Sequence, residues 1–323
     1  MEENTTSTKP FYFPKENKSI VSIIGIGGGA GRIVNEMQDY EFLKRYLYVF
    51  GMNRKEMEEL SLPHKYLIGT DGLGSGKNKR FAESECKKTL QGLDKIISEI
   101  VSCFVVCLGG GTGEGCIKTF LQKSVEMGTK IKLLVVTLPH SSEDIEKRRN
   151  ALDLLHSLEE LVDGVFVVDY DTLPCNTISG LFKEGNRRVI EFVKNLIGSI
   201  VNRGILCFDI YDVGTFLKYN SDTRYVEYFS LSGDINYLRQ ESSNLSKYLP
   251  SKYSSDDDIS NMILLITFNN NDTDDGTVGI FLDETVHGIM QNLNKESNLK
   301  WGMYNDSNIE KNIFRLDIFT KCN

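Results

Sequence analysis

Short, continuous apolar runs rich in β-branched residues recur along the first two thirds of the chain, at Ile20–Ile26, Tyr46–Met52, Cys103–Leu108, Ile131–Thr137 and Gly164–Val168. Runs of this kind fit strands buried on both faces. Between them lie stretches whose apolar residues repeat at helical spacing: Ile33–Met37, Phe81–Ile100, Cys116–Met127, Asp144–Val162 and Ser179–Asn202. In the fourth the stripe is Ile145, Leu152, Leu155, Leu158 and Val162; in the last it is Val189, Val193, Leu196, Ile197 and Ile200. Strands alternating with helices of this length predict a parallel sheet covered by helices on both sides.

The pattern changes after this long helix. Arg203–Tyr219 leaves it through Gly204, crosses an apolar stretch and starts another helix. Asn220–Ser260 is polar, with a weak helix at Ile235–Tyr248 and an acidic run, Asp256-Asp257-Asp258, that reads as a solvated loop. Met262–Phe268 and Val278–Leu282 read as strands, and Asp283–Leu293 as a helix capped by Asp283. Leu299–Tyr304 and Ile313–Phe319 alternate as half-buried antiparallel strands do. The expected division is a polar, disordered arm at 1–18, an α/β domain at 19–178, a central helix at 179–203, a loop and helix at 204–220, and a smaller α+β domain at 221–323.

Composition narrows the class. In 323 residues, 40% are hydrophobic and 25% charged, as in an ordinary soluble protein able to bury a large core. The net charge of −8 argues against nucleic acid as the main partner. Seven scattered cysteines, several within apolar runs, read as buried thiols of a reducing cytoplasm and not as a disulfide framework or a metal site. Neither a signal peptide nor a run of about 20 apolar residues is present, so no direct membrane insertion is expected and the expected location is cytoplasmic.

Chemistry concentrates at glycines. Five fall within seven residues at Gly109–Gly115, directly after a predicted strand and before a predicted helix, and Gly25–Arg32 repeats the arrangement. Glycine lets the backbone approach a ligand, and the start of a helix attracts anions. A glycine-rich turn taken alone is as readily a plain reversal; the density of glycine and the preceding strand favour a nucleotide. Gly25-x-Gly27-x-x-Ala30 meets the loose dinucleotide fingerprint, but the next strand ends in Asn53-Arg54-Lys55 where that fingerprint needs an acid, which disfavours NAD. Gly76-Lys77 is not a Walker A loop, because Asp71 and Asn78 stand where glycine and Ser or Thr are required.

Gly109–Gly115 (GGGTGEG) resembles the phosphate loop of the tubulin and FtsZ superfamily, and four further motifs follow the same order: GIGGGAGR at 25–32, GLGSGKN at 72–78, FKEGN at 182–186 and FDIYDV at 208–213. The resemblance spans about Ile20 to Phe319 and implies a divergent FtsZ-like protein. Its expected fold is a Rossmann-like parallel-sheet GTPase domain, a long central helix and a smaller C-terminal α+β domain. The implied ligands are GTP/GDP with Mg2+. Gly27, Gly28, Gly29, Gly110, Gly111, Thr112 and Gly113 would surround the phosphates, with Arg32, Asn53, Ser75, Gly76, Lys77 and Glu114 beside them. Glu143 would hold the ribose, with Lys147 at the position of the family's ribose-phosphate Arg. Phe182 would stack on guanine and Asn186 read its edge. Asp209 and Asp212 match the acidic pair that such proteins insert into the pocket of the next subunit, where they orient the attacking water. The implied partner is a second copy, head to tail in a filament; a true FtsZ or another filament-associated protein is a further partner class.

Several positions depart from that pattern. Glu114 replaces Ser or Thr and brings a carboxylate near the phosphates, which Arg32, Arg54, Lys55 and Lys77 could offset. Tyr170 replaces an Asn that helps read the base, and Cys207 an Asn of the catalytic loop. The last strand motif lies close to Asn323, so the linker and terminal peptide of division FtsZ are expected to be absent. Two readings follow: a polymerising GTPase in cell division or an accessory filament system, or a non-hydrolysing nucleotide-binding module that regulates or caps FtsZ filaments.

Overall fold

A computed structural model of the chain describes residues 19–90, 96–97, 100–175, 177–218, 223–251, 253 and 255–322. The arm expected over 1–18 lies outside them, as does part of the helix expected over Phe81–Ile100. The alternating runs become six parallel strands, β1 (Val21–Ile26), β2 (Leu47–Gly51), β3 (Lys65–Leu67), β4 (Val101–Cys107), β5 (Ile131–Leu138) and β6 (Gly164–Asp169), in the spatial order β3-β2-β1-β4-β5-β6. Helices α1 (Gly28–Glu36), α2 (Arg54–Glu59), α3 (Lys79–Leu90), α4 (Gly111–Glu126) and α5 (Ile145–Leu158) interleave with them. Alternate residues of β1 serve opposite faces: Val21 and Ile23 join one core layer, Ile24 and Ile26 the other. Chain order reverses between β1 and β4, which is where open α/β sheets offer a crevice for ligands.

Helix α6 (Ile178–Val201) runs for 24 residues, about 36 Å, and Thr177 caps its start by accepting from the Gly180 amide at 3.1 Å. Beyond it lie α7 (Ile210–Lys218) and a second sheet of β7 (Glu227–Gly233), β8 (Ile259–Phe268), β9 (Asn298–Asn305) and β10 (Phe314–Cys322), ordered β7-β10-β8-β9. Phe192 of α6 joins the two sheets. Its ring stacks on Phe166 of β6 at 3.9 Å between centroids, and meets Tyr228 of β7 and Phe319 of β10 edge-on at 5.9 and 5.6 Å. Helix α8 (Ile235–Ser242) and the pair α9 (Asp275–Phe281) and α10 (His287–Asn292), joined by one π turn, cover the second sheet.

Several elements differ from expectation for physical reasons. The glycines at Gly28 and Gly111 are the first turns of α1 and α4, not loops before them. Val278–Leu282 is helical instead of extended: Asp274 caps the segment by accepting from the Thr277 amide at 2.9 Å, and Phe281, Val286 and Ile289 face the core. Asp283 consequently lies within the helix and caps nothing. Strand β9 pairs with β8 in parallel, whereas β10 is antiparallel to both β7 and β8 and almost wholly buried. Strand β7 emerges from the polar Asn220–Ser260 stretch, to which the sequence pattern assigns no strand. Asp256, read as solvated, is 8% exposed because its carboxylate accepts from the amides of Leu245 and Ser246 at 3.1 and 2.6 Å.

Phe192→Ala is expected to lower the unfolding free energy by about 3–5 kcal/mol in urea denaturation. Phe182→Ala, at an exposed position with one edge-on aromatic neighbour, is expected to cost only about 1 kcal/mol.

Candidate functional site

Strand β1 turns into α1 through Gly27 (φ 89°), and β4 turns into α4 through Gly109 (φ 93°), both in the left-handed region that favours glycine. The two turns touch. A Cβ on Gly27 would sit 3.1 Å from the Gly113 nitrogen, and one on Gly113 would sit 3.1 Å from the Cys107 carbonyl. Two helix amino ends therefore open side by side, each with backbone N–H groups that have no partner within the helix. They form the floor of a cleft of about 450 Å³.

The structure brings most of the residues singled out in the sequence to this one cleft: Gly27, Gly28, Gly29, Arg32, Ser75, Lys77, Gly110, Gly111, Thr112, Gly113, Glu143, Lys147, Phe182 and Asn186 all line it. The 72–78 loop presses onto the glycine turn so tightly that a Cβ on Gly111 would meet the Ser75 hydroxyl and come within 2.6 Å of the Lys77 Cα. Lys147 crosses above Gly109 and is paired with Glu143. The segment carrying Glu143 is held by Arg148, which donates to both Asp169 carboxylate oxygens at 2.8 and 2.7 Å and to the Pro139 carbonyl at 2.8 Å. At the other end Phe182 meets Tyr170 edge-on at 5.6 Å, and Gly185 leaves the space that the Tyr170 ring fills. Burial pushes the Tyr170 phenol up to about 12, against a hydrogen bond with Thr137 that lowers it, so the ring presents a neutral hydroxyl at pH 7. The Asn186 amide donates to Glu36 at 3.1 Å.

Three of the expected residues do not line the cleft. Asn53 is the cap of α2, its side chain accepting from the amides of Lys55 and Glu56 at 3.1 and 3.4 Å. Gly76 lies between Ser75 and Lys77 and supplies the turn, with φ 56°. Glu114 corrects the expectation of a repelling carboxylate: its side chain is 1% exposed, turned inward, paired with Lys79, and accepts from the Gly109 amide at 2.5 Å. It braces the turn from behind, where the start of α4 favours an acid.

Asp209 and Asp212 are also absent from the cleft of their own chain. They cap α7 reciprocally: Asp209 accepts from the Asp212 amide at 2.8 Å, and Asp212 from the Asp209 amide at 3.1 Å. Lys300 of β9 donates to Asp212 at 2.5 Å. Burial raises the Asp212 carboxyl, but Lys300 and the Asp209 amide together outweigh it and hold the group below its ordinary value, so it is ionised at neutral pH. Exposed Ile205, Leu206 and Tyr211 flank this pair.

Sequence reasoning missed Glu56, Cys107 and Thr137, which also line the cleft. Cys107 ends β4 and Thr137 is the penultimate residue of β5, on the side where ligands lie against parallel sheets. Glu56 was signalled by Asn53-x-x-Glu56, a helix-start pattern. Among the described residues no group of three or more His, Cys, Asp or Glu is arranged for a metal, and no helix is long and apolar enough to cross a membrane.

Residues 20–176 match the family profile "Tubulin/FtsZ family, GTPase domain". Cell division protein FtsZ 1 of Pyrococcus abyssi is 28% identical over 209 residues, which are 62% of this chain and 56% of the relative. Cell division protein FtsZ of Aquifex aeolicus is 28% identical over 211 residues, 62% of this chain and 57% of the relative. The chain thus matches little more than half the length of these curated relatives. A solved FtsZ dimer of M. jannaschii superimposes with a TM-score of 0.76 at 22% identity, covering 93% of this chain and 87% of that one. A GTPγS-form protofilament of TubZ from Bacillus thuringiensis serovar israelensis does so with a TM-score of 0.65 at 14% identity, covering 95% and 90%. At these identities the structural likenesses speak for the fold alone, and residues 20–176 are similar to the GTPase domain of the Tubulin/FtsZ family, which makes the chain FtsZ-like in fold and divergent in sequence.

Proposed function

We propose that this chain binds GTP and GDP in the glycine-floored cleft, assembles head to tail with copies of itself, and hydrolyses GTP where α7 of one copy meets the cleft of the next. One observation carries the reading. Asp209 and Asp212 do not line the phosphate-type cleft of their own chain and stand instead as paired carboxylates on an exposed helix start with apolar neighbours. A carboxylate pair so placed is available to the cleft of another copy. The relatives solved as a dimer and as a protofilament support assembly of this kind.

Under this reading, the amides at the starts of α1 and α4 and the Thr112 hydroxyl hold the phosphates, while Arg32 and Lys77 supply compensating charge. Glu143 and Lys147 meet the ribose end. Phe182 offers a face for the base and Asn186, one turn later on α6, a polar edge. The hydroxyls of Ser75 and Thr112 are hard oxygen donors of the kind Mg2+ takes beside phosphate and water, so these residues fit such a cation, which would neutralise phosphate charge when bound. Asp209 and Asp212, fixed by their mutual caps, would orient the attacking water, since phosphoryl transfer depends on positioning and electrostatics. Lys300 keeps Asp212 ionised and aimed. A head-to-tail contact between unlike faces repeats without closing and yields a filament.

The second reading, a non-hydrolysing module that regulates or caps FtsZ filaments, draws on the same pair: Asp212 is already engaged by Lys300, and Cys207 ties its own loop by accepting from the Gly204 amide at 3.1 Å. It predicts nucleotide binding without phosphate release.

Titration calorimetry is expected to give one GTP or GDP per chain in Mg2+ buffer, with binding weakened by about 100-fold or more, some 2.7 kcal/mol, in Gly111→Val, whose side chain collides with Ser75 and Lys77. Asp212→Ala is expected to keep the parent's nucleotide affinity and to sediment with GTP, while phosphate release falls by about 100-fold or more. An Asp212→Ala variant that turns over at the parent's rate removes the water-orienting role.

A further inference from the structure

The cleft contains a carboxylate that the phosphate reading does not use. Glu56 stands in the first turn of α2, a helix fixed at its start by the Asn53 cap and by the Arg54 amide donating to the Gly72 carbonyl at 2.9 Å. Its carboxylate lies directly against Gly28, the first residue of α1. That is the end of α1 at which an anion would bind. The cation that pairs with Glu56 is Arg32, whose guanidinium is 4.0 Å away; the two side chains are 63% and 39% exposed, so this pair is weak. The other acid lining the cleft, Glu143, is paired with Lys147.

A loosely compensated carboxylate beside a polyphosphate is repulsive unless a cation stands between them. A single exposed guanidinium does little against two anionic groups, whereas a divalent cation attracts both. We propose that Glu56 is the carboxylate ligand, alongside the Ser75 and Thr112 hydroxyls, for the divalent cation that accompanies the nucleotide, so that this chain takes its nucleotide as the metal complex and takes the bare nucleotide poorly. The inference rests on the reading of the cleft as a guanine-nucleotide site. Mg2+ is commonly bound through one or two carboxylates together with substrate phosphates and water, and seldom in an all-protein cage. One carboxylate at the phosphate turn, with no cluster of three acidic, His or Cys groups among the described residues, is the donor set such a cation uses.

The competing account is that Glu56 is only an anion occupying the place of a phosphate, displaced whenever nucleotide enters. The two accounts differ in how the metal and the residue are coupled. Dissociation constants for GDP and GTP are measured in Mg2+ and in EDTA for the parent, Glu56→Gln and Glu56→Ala, with melting temperatures to verify folding. The parent is expected to bind about 10-fold or more weaker in EDTA, whereas both variants change by less than about 3-fold and bind in EDTA at least as tightly as the parent does. The same Mg2+ factor in the variants as in the parent overturns the inference. Equal tightening in both buffers overturns it too, and marks Glu56 as a competing anion. A parent that binds equally with and without Mg2+ overturns it while leaving the nucleotide reading intact; a parent that binds no nucleotide in either buffer removes that reading and the inference together.

Discussion

Backbone meeting backbone at two strand-to-helix turns is the constraint on which the rest of the molecule depends. Gly27 and Gly113 approach so closely that neither tolerates a Cβ without displacement, and Gly111 is covered as tightly by the 72–78 loop. Such an approach requires β1 and β4 to be neighbours in one parallel sheet, which in turn requires a helical crossover between them and the two-sided core that buries every residue of β1. The floor of the cleft is thus a consequence of sheet order, and the remaining cleft residues are hung around it by loops that follow the strands. Glu114 shows how far the arrangement extends: a carboxylate one turn into α4 is spent inside the protein, holding the Gly109 amide and leaving the open side to the backbone.

The second half of the chain has a different task, which is to hold α7. Lys300 of β9 fixes the amino end through Asp212, while Asn261 of β8 and Lys321 of β10 donate to the carbonyls of Phe216 and Leu217 at 2.7 Å near its other end. Burying the Lys321 ammonium lowers it to about 8, a cost offset in part by capping the helix where its carbonyls point. The aromatic contact through Phe192 then relates this sheet to the nucleotide-type sheet. Cleft and carboxylates are each rigidly built, but on different parts of the same chain.

Much of this could be read from residue order, and the exceptions have physical causes. The parallel sheet was evident because strands buried on both faces leave continuous apolar runs, and the glycines marked the turns. Strand direction was not: alternation in Leu299–Tyr304 identifies a strand but carries no sign of its sense, which the connection through α9 and α10 sets. Val278–Leu282 looked extended by composition, and a cap at Asp274 together with core contacts made it helical. At the cleft, residues in motifs were found and isolated ones were not. Glu56 belongs to no phosphate motif and reaches the site only because α2 lies beside α1, while Glu114 belongs to a motif and turns away from the cleft because Lys79 and the Gly109 amide attract it inward.

The central claim is that one copy supplies the cleft and the next supplies Asp209 and Asp212. Mixing two variants tests it most directly: Gly111→Val, which blocks the cleft but keeps the carboxylates, and Asp212→Ala, which keeps the cleft but lacks the carboxylate. With GTP, each variant alone is expected to release essentially no phosphate, and the mixture to recover release at concentrations where it sediments. A mixture that co-sediments and remains inactive, or an Asp212→Ala variant that is active alone, contradicts a site divided between copies.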